Sequence, residues 1–221
     1  MKRFLPGDFS WLALLASVTL FFIIPSTHHI FVNLTKTHPF LMGFLKFAIL
    51  ATMGELLALR LSTGIWKRPP GLAAKLVVWG LIGIAVTFMF LFFSAGVMAM
   101  VEKGVLPAGS GTAGVFLKAF YTSAIMNLTF GPVFMAAHRL SDTYIDLRSR
   151  DFKPSAKEVV GAINWSGFID FVVAKTIPFW WIPAHTITFM LPVEYRVLVA
   201  AYLSIVLGII LVYARGRKFE S

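Results

Sequence analysis

Seven ionisable residues and one amide stand within or beside long apolar stretches of this 221-residue chain. They are Lys46, Glu55, Lys118, Asn127, Asp170, Lys175, Glu194 and Arg196. An ionisable side chain in an apolar span is costly, and it usually faces the interior of a helix bundle or a water-filled cavity. These side chains could therefore bind a charged solute, pair with one another, or reach the lipid headgroups.

The order of the apolar segments predicts that the charged residues other than Glu55 converge on the outer half of a membrane. In one interpretation the lysines extend to the headgroups and the carboxylates of Asp170 and Glu194 neutralise their neighbours. In the other, these residues line a polar vestibule. Glu55 lies deeper, so it is either a structural, hydrogen-bonded glutamate or a gating group in a central pore.

The composition decides the class of protein. Hydrophobic residues make up 58% of the chain and charged residues 14%, against about 45–50% and 25% in soluble domains. This balance excludes a soluble enzyme, a coiled coil and a disordered regulator. The absence of cysteine removes disulfides and thiolate chemistry. No nucleophile, zinc or dinucleotide motif is present, so neither an enzyme nor a cofactor is expected.

The apolar segments predict an all-α, polytopic membrane bundle that forms a single domain over residues 1–221. About six transmembrane helices are expected, over residues 9–24, 39–61, 77–101, 113–138, 159–177 and 195–213. The first is interpreted as an uncleaved helix rather than a signal peptide. Prolines at 178, 183 and 192 predict a short, broken helical stretch at a membrane surface. In a five-span alternative, residues 159–177 lie in the interface.

The net charge of +10 is explained by the orientation of the chain in the membrane. In the six-span arrangement, most basic residues fall on one side, which the positive-inside rule makes cytoplasmic together with both termini. These residues are Lys2, Arg3, Arg60, Lys67, Arg68, Lys75, Arg139, Arg148, Arg150, Lys153, Lys157, Arg215, Arg217 and Lys218. The opposite loops keep only Lys36 and Lys103. The excess charge therefore does not indicate a nucleic-acid partner.

Three groups of residues resemble signatures of the Mpv-seventeen/peroxisomal-membrane-protein family. They are His38-Pro39 with Gly54-Glu55, Lys118 with Pro132-Val133-Phe134, and Trp180-Trp181 with Phe189 and Pro192-x-x-Tyr195-Arg196. Glu55 stands at the family aspartate, Leu59 at a usual glutamine, and Met126-Asn127 at an Asp-Gln pair. The resemblance implies a remote, prokaryotic relative with a family-like core over 37–217 and an extra N-terminal helix over 1–36.

The resemblance further implies a weakly selective channel linked to small-metabolite or redox homeostasis, with no catalytic residues. The location expected is a bacterial cytoplasmic (inner) membrane, or alternatively an organelle inner membrane whose matrix side carries the basic residues.

Together, the charges and the resemblance predict a channel or transporter for small polar or anionic solutes. Lys46, Lys118 and Arg196 would make the outer mouth positive, and Glu55 and Asn127 would line or gate the pore, with Asp170 as a further cavity candidate. The alternative is a non-transporting scaffold in which Glu55, Lys118 and Arg196 form structural pairs. The predicted partners are the lipid bilayer and a small polar solute. Association with a second copy of the chain is left as an open alternative.

Overall fold

A computed structural model describes residues 4–150 and 153–217, the last seven of them by backbone alone. All regular structure in these ranges is helical. The helices are α1 Pro6–Ile23, α2 Pro25–Thr37, α3 Pro39–Thr63, α4 Leu72–Glu102, α5 Gly111–Arg148, α6 Ala156–Gly161, α7 Trp165–Gly167, a π-helix Phe168–Trp181, α8 Ile182–Met190 and α9 Val193–Arg217. Lys2, Arg3 and Lys218 lie outside the described residues, as do the side chains of Arg215 and Arg217.

Proline and glycine fix where several helices begin and end. Pro6, Pro25 and Pro39 each occupy the first turn of a helix, where the missing N–H has no intrahelical partner to lose. Helix α3 ends at Gly64, whose φ of 83° is a left-handed conformation that glycine adopts without a steric cost. These signals explain why the predicted start of α3 at Pro39 is confirmed.

Four helices within the described residues are long and apolar enough to cross a membrane. They are Pro6–Ile23, Pro39–Thr63, Leu72–Glu102 and Val193–Ile210. Each coincides with a span expected from the sequence. The expected fourth span, over residues 113–138, falls inside α5. This helix has 38 residues and continues ten residues beyond the span, to Arg148.

The expected fifth span is the largest departure from the prediction. Residues 159–177 do not form one helix, because the chain breaks between α6 and α7. At the break, the Asn164 side chain accepts a hydrogen bond from the Gly167 N–H at 2.9 Å, and this contact caps the start of α7. The predicted break at Pro178 is also wrong. A proline ring clashes with the carbonyl of an ordinary α-turn, but here the wider π-helix continues through Pro178 into α8.

Helix α3 packs along both α4 and α9. Gly43 of α3 faces Gly83 of α4, and a side-chain carbon on either residue would collide with the backbone of the other. A side-chain carbon on Gly54 of α3 would lie 3.1–3.2 Å from backbone atoms of Ile205 in α9, which is a tight contact rather than a collision. Small residues let membrane helices approach closely, so these glycines fix the spacing of the three helices.

Polar contacts identify which helix ends lie together. At one end, which we call the Lys75 end, the start of α1 meets the end of α3 through Asp8 and Arg60, and the start of α4 meets the end of α5 through Lys75 and Asp146. At the opposite end, called the His28 end, Tyr195 of α9 lies 3.0 Å from His28 of α2. Helices α1, α3, α4 and α5 therefore run in alternating directions, and α9 starts at the His28 end and runs in the same direction as α5.

Candidate binding cavity

A cavity of about 800 Å³ lies between α3, α4, α5, α9 and the segment from α6 to α8. This volume is within the ~300–1,000 Å³ range of small-molecule sites. Along α5 the lining extends from Met126 to Thr143, a length of roughly 25 Å at 1.5 Å per residue. Most of the wall is apolar, with polar groups concentrated near its two ends.

The polar group nearest the Lys75 end is built around one buried ammonium. Lys75 Nζ donates to Glu55 Oε1 at 3.0 Å and lies 2.7 Å from Asp142 Oδ1 and 3.0 Å from Asp146 Oδ1. The Lys75 side chain is 6% exposed, while those of Glu55 and Asp142 are each 25% exposed. Glu55 also accepts a hydrogen bond from Trp79 Nε1 at 3.2 Å. Three carboxylates thus share one ammonium, and α3, α4 and α5 are held together there.

His138 extends this polar group along α5, one turn before Asp142. Its ring packs edge-on against Trp79 with 4.2 Å between ring centroids, and its buried Nδ1 atom has no hydrogen-bond partner among the described residues. Arg139 also borders the cavity, but its side chain is exposed. This end of the cavity therefore combines an acidic cluster with an unsatisfied imidazole nitrogen.

The deep end of the cavity carries a second polar group. Asn127 Nδ2 donates to the Ser123 carbonyl at 2.8 Å, and its amide lies 3.1–3.2 Å from His185 Nδ1. Ser123 Oγ in turn donates to the Ile182 carbonyl at 2.7 Å. The His185 ring stacks on Trp181 with 5.1 Å between centroids. This network fixes α5 to α8 within the bundle.

Aromatic packing separates the cavity from the His28 end. Phe90 lies edge-on to His185 and packs against Phe189, with centroids 4.7 Å apart. The Arg196 guanidinium covers Phe189 at 5.6 Å and donates to the Leu191 carbonyl at 2.9 Å. On this side the cavity lining includes Phe90 and His185 but neither Phe189 nor Arg196.

Two of the six candidates predicted from the sequence, Glu55 and Asn127, line this cavity. Lys46 is buried instead between α2 and α3, where its ammonium donates to Thr35 at 3.1 Å and lies 4.7 Å from the centre of the Phe31 ring. Lys118 is half-buried on α5, outside the lining. Arg196 also lies outside it.

Asp170 is exposed on the π-helix. Its neighbours Phe168 and Phe171 border the cavity, whereas Asp170 does not. The helical segment that carries it continues to Met190 rather than ending at Ile177.

Sequence reasoning missed the main partners of Glu55. Lys75 precedes the expected third span over residues 77–101, and Asp142 and Asp146 follow the expected fourth span over residues 113–138. A signal was present, since His138, Asp142 and Asp146 recur at four-residue spacing and so share one face of a helix. Arg60, which stands five residues after Glu55 on α3, binds a different carboxylate, that of Asp8.

A separate polar cluster lies outside the cavity at the Lys75 end. Arg60 makes two 2.9 Å contacts to the Asp8 carboxylate, through Nε and Nη2, and donates to the Gly64 carbonyl at 2.7 Å. Trp66 Nε1 donates to the same carboxylate at 2.9 Å. Paired arginine and carboxylate groups are strong and directional, so this cluster fixes the start of α1 against α3.

No protein-family model, curated protein or solved structure matches this chain. The resemblance to the Mpv-seventeen/peroxisomal-membrane-protein family therefore stays a prediction. Across residues 4–150 and 153–217, no group of three His, Asp or Glu side chains is arranged to hold a metal ion.

Proposed function

We propose that the chain is an integral membrane transport protein that binds a small solute in the central cavity and moves it across the bilayer. The observation that carries this proposal is the cavity itself, which is about 800 Å³ in volume and whose lining runs from Glu55 and Asp142 near the Lys75 end to Phe90 and His185, beyond which aromatic rings pack toward the His28 end. A site accessible from one side is the geometry that an alternating-access carrier requires. A permanently open channel would need a lining that reaches both ends.

The proposed membrane arrangement has six crossings. The four apolar helices supply four of them. Helix α5 supplies another, and the continuous segment from Trp165 to Met190 the sixth. At ~1.5 Å per residue, α5 reaches roughly 57 Å and the segment from Trp165 to Met190 roughly 39 Å, against about 30 Å for the hydrocarbon core. Both termini then lie at the Lys75 end, on the cytoplasmic side by the positive-inside rule, in a bacterial inner membrane or an equivalent organelle membrane.

The position of the charges favours solutes other than the anions expected from the sequence. Lys46, Lys118 and Arg196 were to attract anions, but none of them borders the cavity. The ionisable residues that do border it include Glu55 and Asp142, each paired with Lys75. The proposed substrate is therefore a small amphipathic solute, recognised by an apolar wall and a polar end.

Solute flux in liposomes tests the proposal. Vesicles with the purified protein should take up a panel of small amphipathic solutes faster than empty vesicles. Ser204→Phe, which places a ring on the α9 wall of the cavity, should reduce that flux. Ser17→Phe is the matched control, because Ser17 is exposed on α1. Equal uptake by loaded and empty vesicles at every membrane potential and pH would reject transport.

A second candidate function is a non-transporting membrane scaffold, favoured by the Lys75 and Arg60 clusters, which tie helices together at one end of the bundle. In that case Glu55→Gln lowers stability and leaves flux at the background of empty vesicles. Flux that falls in Ser204→Phe while its melting temperature equals that of Ser17→Phe would argue against the scaffold.

A further inference from the structure

We infer that the ligand of the central cavity is a monovalent organic cation with an aromatic or aliphatic body. This inference rests on the proposed function and names its substrate class. The positive group would lie at the carboxylates of the Lys75 end, and the apolar body would lie along the aromatic wall toward His185.

The charge at the Lys75 end favours a cation. Glu55, Asp142 and Asp146 bring three negative charges, and Lys75 compensates one of them. Arg139 adds a positive charge at the edge of the cavity, and solvent screens both this charge and that of Asp146, because the side chains of the two residues are exposed. The sum stays negative. The Lys75 ammonium also demonstrates that this group of carboxylates holds a cation at 2.7–3.0 Å.

The walls suit the rest of such a molecule. Phenylalanine rings border the cavity from four helical elements: Phe47 of α3, Phe90 of α4, Phe130 and Phe134 of α5, and Phe168 and Phe171 of the π-helix. Aromatic faces attract organic cations through their quadrupole and provide apolar contact for the body. The volume accommodates a drug-sized molecule.

Two buried polar atoms on the wall have no hydrogen-bond partner among the described residues. They are Nδ1 of His138, beside the carboxylates, and Nε1 of Trp181, near the deep end. Buried polar groups are nearly always satisfied, and leaving one without a partner is unfavourable. This observation is independent of the acidic cluster: both residues border the cavity, and each has a polar atom whose missing partner a polar group of the ligand would supply.

The inference is tested with two ions of equal shape and opposite charge. Tetraphenylphosphonium and tetraphenylborate would be titrated calorimetrically into the purified full-length protein in detergent, with empty micelles and Ser204→Phe protein as backgrounds. The cation should bind the wild-type protein at least about tenfold more tightly than the anion, because the carboxylates attract the cation and repel the anion. This comparison needs no variant that could misfold.

A variant pair then locates the cation. Asp142→Asn removes one carboxylate from the cavity lining and leaves Lys75 two partners, and it should weaken tetraphenylphosphonium binding about tenfold. Asp170→Asn is the control, because it is the same change at an exposed site outside the lining, and its affinity should equal that of the wild type.

Three results would overturn the inference: equal affinities, tighter binding of the anion, or no binding of either ion. None of these results would by itself reject transport. If the vesicles took up a neutral or anionic solute and Ser204→Phe blocked that uptake, the protein would still be a carrier, with a different substrate class. Conversely, selective cation binding without any flux would keep the site and reject transport.

Discussion

Replacement of Lys75, a buried residue of α4, by methionine should destabilise the protein more than replacement of any lysine in its loops. Methionine keeps the length and apolar stem of lysine but removes the ammonium that lies 2.7–3.0 Å from three carboxylates. Glu55 and Asp142 would then stay close together with no compensating charge from α4, and their mutual repulsion would separate α3 from α5.

The burial of the Lys75 cluster determines how much stability Lys75→Met should lose. Breaking a fully buried ion pair by removing one partner costs about 3–5 kcal/mol. The Glu55 and Asp142 side chains are 25% exposed and that of Asp146 is 45% exposed, so solvent screens part of the interaction, and Asp146 adds little. We therefore expect Lys75→Met to lower the free energy of unfolding by about 2–4 kcal/mol.

The assay is denaturant unfolding in mixed micelles, followed by tryptophan fluorescence. Lys67→Met serves as the matched control, because Lys67 is exposed in the connection between α3 and α4. A second variant, Lys75→Met with Asp142→Asn, should recover part of the loss by removing one of the repelling carboxylates. If Lys75→Met and Lys67→Met unfold within about 0.5 kcal/mol of each other, the Lys75 cluster does not hold the helices together and the reasoning is refuted.

Two further predictions test the packing and a helix cap. Gly83→Ala should lower the free energy of unfolding by about 1–3 kcal/mol, because the added methyl group clashes with the Gly43 backbone. Gly96→Ala on the same helix has no neighbour within reach and should be neutral or stabilising. Equal effects of the two substitutions would argue against close α3–α4 packing. The pKa of Glu158 is lowered by hydrogen bonds from Ser155, so its contribution to α6 is present above the ordinary glutamate pKa and is lost as the pH falls through the lowered value. The protection of α6 amides, measured as exchange relative to the intrinsic rate at each pH, should therefore fall at acidic pH in the wild type and be lower at neutral pH in Glu158→Gln. Protection in the wild type that does not change with pH would contradict this cap.

Much of the helical framework follows from local signals in the sequence. The charge-free stretch at 77–101 and the proline at 39 predict α4 and α3 to within a few residues, because helix propensity and apolar length act locally. Helix α2 was not predicted. The continuity of the chain through Pro178 was missed because a proline normally signals a break, and the π-helical path that accommodates it depends on packing against α5.

The residues of the candidate site were likewise predicted only in part from the sequence. Glu55 and Asn127 stand out as polar residues in apolar stretches, and both border the cavity. Lys75 lies in a flanking stretch that composition alone assigns to a loop, and its burial becomes visible only when α3, α4 and α5 meet. Lys46 has the same sequence signal as Glu55, yet α2 covers it. Which face of a helix a charge occupies is settled by tertiary packing.

The central claim is that the cavity is a water-accessible solute site that opens toward the Lys75 end of a membrane bundle. Because the chain has no cysteine, single-cysteine variants test it most directly. Ser204→Cys reports on the cavity wall, while Lys67→Cys and Lys103→Cys mark the two proposed sides of the membrane. In sealed vesicles of known orientation, a membrane-impermeant thiol reagent should modify Ser204→Cys from the side that modifies Lys67→Cys. Modification only from the Lys103 side, or from neither side, would contradict the claim.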